Sequence, residues 1–150
     1  MNQEKIMKRR MISAIVLFLI TLVALLVFIA LYVDEVRRVQ ETYRRQYRTG
    51  LSDVVEDIAS FRNAEGDFDL RYRCIINDMS GANSFAFLIE DLDDEKKTIN
   101  EVNTCLIKYP EQMSGKLEEL EKALSDILDG LDKGYEEAQA LVDSINKKGY

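Results

Sequence analysis

Cys74 and Cys105 are the only thiols in this chain, and no histidine accompanies them. Without an imidazole, the sequence lacks the usual general base and the commonest protein metal ligand. The two cysteines are 31 positions apart, form no C-x-x-C pair and have no neighbouring histidine to draw off a proton, so neither redox nor nucleophilic chemistry is predicted for them. They read as packing thiols, with a bridge as the alternative; were the chain to turn at 80–84 they would lie about 20 Å apart along the bundle axis, beyond disulfide reach. No catalytic, cofactor-binding or metal-ligating residue is predicted, and the chain is expected not to be an enzyme.

Two acidic stretches invite a cation-binding reading. "EDLDDE", residues 90–95, has the charge of a calcium loop but no glycine turn, and the apolar spacing of Leu88, Leu92 and Ile99 continues through it. A solvated helix face is the expectation there. "NAEGDFD", residues 63–69, contains a glycine with the wrong ligand order and reads as a helix junction.

The basic stretch "RRVQETYRRQYR", residues 37–48, places Arg37, Arg38, Arg44, Arg45 and Arg48 beside Val39, Tyr43 and Tyr47 at helical spacing. Such a segment can lean on anionic lipid headgroups with its tyrosines at the interface, so these five arginines are the candidate membrane-surface contact. Solvating a stalk and offsetting nearby acidic charge explains them equally well.

The element that would bring them to a membrane precedes them. Residues 11–33 form an apolar run of 23, sixteen of which are Leu, Ile, Val or Phe. As a helix it is ~34 Å long, enough to cross the hydrocarbon layer, and at roughly 0.3 to 0.6 kcal/mol per large apolar residue its insertion is favoured by several kcal/mol. A cleaved signal has a shorter apolar core and a small-residue cleavage site, whereas "FIALYVDE" has none, so an uncleaved signal anchor is predicted behind a short basic tail, residues 1–10. Basic residues on the two sides nearly balance; Arg9 and Arg10 abut the run, while Asp34 and Glu35 separate it from Arg37. This favours a cytoplasmic N-terminus and an extracytoplasmic C-terminal part.

Four of the 20 basic and one of the 27 acidic residues precede position 34, leaving 16 against 26 beyond it. That negative balance argues against nucleic acid as a partner. With one proline and apolar residues every three or four positions, the remainder reads as helix. A juxtamembrane helix is expected over 34–64, ended by Gly66 as a cap with Asp67 opening the next helix. A helical hairpin or bundle follows over 65–150, with breaks near 80–84, in "SGANS", and near 109–111, at Pro110. The first break is favoured by length: an uninterrupted return over 68–108 would descend about 60 Å against an ascent of about 45 Å.

The last predicted helix, 111–147 with Lys147 and Lys148 near its end and Gly149 as cap, repeats Met113, Leu117, Leu120, Leu124, Ile127, Leu131, Gly134, Ala138, Leu141 and Ile145 at alternating steps of four and three. Leu128, Tyr135 and Val142 widen the stripe beyond a two-stranded coiled-coil seam, to the width expected among three or more helices. An intramolecular partner is the economical expectation. The alternative is a partner-helix face made by Leu128, Gly130, Gly134, Tyr135 and Ala138, whose small residues would admit a neighbouring protein.

The fold class expected is therefore all-α: one N-terminal transmembrane helix and then an antiparallel, coiled-coil-like bundle of three or four helices. In layout alone the chain is similar to short single-pass envelope proteins, and layout does not fix function. The expected function is a non-catalytic interaction, scaffold or envelope-assembly role, without cofactors. Its partners would be the lipid bilayer and another membrane or envelope protein, with a homo-oligomer also open. The alternative is a ligand-binding helical sensor that signals through a separate subunit, since about ten residues precede the span.

Overall fold

The structure, a computed structural model, describes residues 2–147; the expected roles of Lys148 and Gly149 lie outside the described residues. All regular structure described is helical: α1 (Asn2–Arg62), α2 (Phe68–Ala86), α3 (Glu95–Lys108), α4 (Pro110–Ser114), α5 (Leu117–Gly130) and α6 (Tyr135–Asp143). The chain divides into two units, residues 1–39 and 40–150.

In the first unit, the large apolar side chains of residues 11–33 are between 42% and 68% exposed. This is the one described helix long and apolar enough to cross a membrane. A helix satisfies its own backbone polar groups, which the hydrocarbon layer demands, and Thr21 follows the same rule by donating its hydroxyl to the Leu17 carbonyl at 2.9 Å.

The second unit is built around one apolar core. From α1 it takes Tyr47, Leu51, Val54 and Ile58, at steps of four, three and four, which keep one stripe of a helix facing inward. Tyr72, Ile75, Met79, Ala82 and Ala86 of α2 face it. Ile99, Val102, Cys105 and Leu106 come from α3, Met113 from α4, five residues from α5, and Tyr135, Ala138, Leu141 and Val142 from α6.

Four sequence expectations are corrected. The break predicted at 80–84 is absent, because α2 runs through "SGANS". Ser80 and Ser84 turn their hydroxyls back to the Ile76 and Ser80 carbonyls at 2.7 and 2.8 Å, and the small residues serve a close approach. A Cβ built on Gly50 of α1 would stand 3.0 Å from the Ala82 Cβ, so two backbones meet where a turn was expected. The reversal lies instead in the non-helical residues between α2 and α3, which converts "EDLDDE" from a helix face into a turn. Asp93 and Asp94 pair there with Lys96 and Lys97 at 2.9 and 2.7 Å.

At the α1–α2 junction Asp67 stands at the N-cap of α2 as expected, but it rather than Gly66 takes the left-handed conformation, with φ 58°, a region in which Asp is better tolerated than most side chains. The single last helix is three. Tyr109 leaves helical geometry and Pro110 opens α4, as a residue without an amide proton can at a helix start. Further on, Leu131 and Gly134 both adopt positive φ, 63° and 84°, and separate α5 from α6. Gly134 is indispensable there, since a Cβ would press on the Ala123 carbonyl and stand 2.8 Å from the Ile127 nitrogen.

Candidate functional site

The arginine segment divides between the two units. Arg37 and Arg38 belong to the first, where Arg38 holds Glu35 at 2.8 Å. Arg44, Arg45 and Arg48 belong to the second and are exposed on α1, with Arg48 one helical turn beyond the adjacent Arg44 and Arg45 and so on the same side. With Glu41, Ile89, Asp91, Leu92, Gly130 and Leu131 they line an open hollow of about 460 Å³. Arg44 pairs with Asp91, whereas no carboxylate among the described residues pairs with Arg45 or Arg48. Apolar walls of Ile89, Leu92 and Leu131 under two unpaired guanidinium groups suit an anion carrying an apolar portion.

A second hollow, of about 860 Å³, shares Gly130 and carries the opposite charge, with Glu95, Asp126, Asp129, Asp132, Glu136 and Glu137 around Lys133 and Tyr135. Among the described residues no three His, Cys, Asp or Glu side chains come close enough to hold one metal ion.

The face predicted for a partner helix is largely internal. Gly134, Tyr135 and Ala138 are buried, Leu128 is half-buried against the core, and Gly130 alone is exposed. The cause is the α5–α6 break: positive φ at Leu131 and Gly134 folds α6 against α5, so the stripe closes on its own chain. Tyr135 meets Tyr47 of α1 with the two hydroxyls 3.2 Å apart. Burial and the neighbouring hydroxyl push the Tyr47 phenol far above its ordinary range, and burial raises Tyr135 too, so both stay protonated.

The thiols differ in setting. Cys74 is exposed and Cys105 buried, and both are free. Burial raises the Cys105 thiol above its usual value, against a smaller opposing pull from Lys147, which leaves it a poor nucleophile.

One titratable group was not singled out by sequence. Asp57 of α1 is pushed up to about 6, first by burial, then by the neighbouring Asp78 carboxyl, and then by the charges of Asp53 and Glu56. Its Oδ2 is buried without a partner among the described residues. The sequence carries one hint, because Asp53 and Asp57 are four apart on a helix and repel along one face; Asp78 becomes visible only once α2 is placed against α1.

No family model, no curated protein and no solved structure matches this chain.

Proposed function

We propose that this chain is a single-pass membrane protein, inserted through residues 11–33 with its N-terminus in the cytoplasm. Residues 40–147 would form an antiparallel helical bundle serving a non-catalytic assembly or scaffold role at the envelope. The observation that carries this reading is the contrast between the units. Eighteen large apolar side chains stand exposed over residues 11–33, while the second unit encloses its apolar stripes in one core. Leaving the first set in water would be prohibitive at about 25 cal/mol per Å² of apolar surface, and lipid removes that cost. The internal satisfaction of the second unit supports a stable body that presents a surface, and burial makes its Cys105 thiol a poor nucleophile.

The test is a membrane preparation of the full chain with reporters at both ends. Retention in the pellet after alkaline extraction, with the C-terminal reporter active only in the extracytoplasmic compartment, is the expected result; release into the supernatant would remove the anchor reading. A photo-crosslinker at exposed Phe68 or Ile107 is then expected to give a discrete adduct with an envelope protein, and a ladder of unrelated products would count against assembly.

A second reading, a ligand-binding sensor, is favoured by one feature, the basic hollow of Arg44, Arg45 and Arg48. A thermal-shift series with amphiphilic carboxylates and phosphates addresses it. Stabilisation abolished by Arg45→Gln with Arg48→Gln supports a sensor; a flat response retires it.

A further inference from the structure

Between α2 and α3 two apolar side chains stand in solvent. Phe87 is 52% and Leu88 47% exposed, whereas the other apolar residues of that turn, Ile89 and Leu92, are buried in the core. The turn is tied to α1. Gln40 donates from Nε2 to the Leu88 carbonyl and accepts at Oε1 from the Glu90 amide, both at 3.2 Å, and Arg44 pairs with Asp91.

Gln40 is seven residues beyond Val33, where the apolar run ends. Seven Cα steps reach no more than ~25 Å fully extended and only ~10 Å as a helix. If residues 11–33 lie in a bilayer, the segment fastened to Gln40 is thus held close to the surface of that bilayer. Being held there gives an exposed Phe and Leu a use, since apolar side chains gain free energy in the interfacial layer.

Most charges near the turn are already paired. Arg38 is paired with Glu35, Arg44 with Asp91, and Lys96 and Lys97 with Asp93 and Asp94, and the turn also carries Glu90. An anionic surface would attract the free arginines and repel these carboxylates. We propose that Phe87 and Leu88 rest in the interfacial layer of the bilayer that carries residues 11–33, docking the helical unit onto the membrane through an apolar contact largely independent of lipid charge. The proposal rests on the anchor reading above.

The test uses the full chain in phosphatidylcholine nanodiscs containing a lipid spin-labelled at the headgroup level. A Cys74→Ser background leaves only the buried Cys105, and an environment-sensitive dye is attached through Leu88→Cys, Leu70→Cys or Leu22→Cys in turn. Leu70, 63% exposed near the other end of α2, is the matched control, and Leu22 reports the span itself. The expected result is quenching at position 88 several-fold above that at 70, unchanged when a third of the lipid is phosphatidylglycerol and reduced by Phe87→Asp. Equal quenching at 88 and 70, with a deep-membrane signal at 22, overturns the docking contact and leaves the anchor standing. Quenching at 88 that needs phosphatidylglycerol overturns it in favour of the arginines. A water-exposed dye at 22 overturns the anchor, and the docking contact with it.

Discussion

Gly134 is the residue on which the α5–α6 break depends. Its φ of 84° and the crowding of its absent Cβ by the Ala123 carbonyl and the Ile127 nitrogen act together. Gly134→Ala is therefore expected to destabilise the second unit by at least about 2 kcal/mol, read as a lowered denaturant midpoint. Gly81, helical with nothing within 4 Å of a built Cβ, predicts the reverse: Gly81→Ala stabilises by about 0.5 to 1 kcal/mol. The Tyr47–Tyr135 hydroxyl pair makes a double-mutant cycle informative. Either Tyr→Phe change alone leaves a buried hydroxyl without its partner and is expected to cost about 1 kcal/mol, and the double change about as much as one; full additivity would show that the hydroxyls do not interact. None of these roles was legible in the residues alone. The heptad reading sets Gly134 inside the apolar repeat and Gly130 beside it, but only the neighbours across the break show that position 134 must have no side chain.

Helix identity and inward faces were easier to read than helix ends. The stripe of Tyr47, Leu51, Val54 and Ile58 and that of Leu117, Leu120, Leu124 and Ile127 follow from spacing, because burial on a helix repeats every three or four residues. "SGANS" was misread as a turn because small and polar residues signal turns and close helix contacts alike, and its partner Gly50 lies 30 positions upstream. "DLDDEKK" did carry the cue for its own role, since an Asp before an acidic first turn marks a helix start, and α3 begins at Glu95. The α1–α2 contact also sets a pH dependence. Asp57 has a folded value of about 6 against an unfolded value of about 3.9, so folding favours its protonated form. That contribution is complete below about pH 4 and is lost as pH rises through about 6. Asp57→Asn is expected to raise the melting temperature at pH 7, with the gain over the parent shrinking as pH falls from 6 to 4. A gain constant over that window would place the effect elsewhere than in this carboxyl.

At the scale of the whole molecule, two kinds of apolar surface share one chain. That the 11–33 run is a helix long and apolar enough to cross a membrane was readable from length and composition alone. The fate of the later stripes was not, because a partner in the same chain and a partner in another present the same spacing. The structure places Tyr135, Ala138 and Leu141 in the core made with α1, α2 and α3, and the proposed role as a self-contained body on an anchor depends on that closure. The direct test is to produce residues 34–150 without the run and follow helical circular dichroism and sedimentation over a thousand-fold dilution. The expected result is a monomer whose helix content and cooperative melting do not change with concentration. A chain that is unfolded when dilute and gains helix only on associating would contradict it, and would assign the apolar stripes to an intermolecular interface.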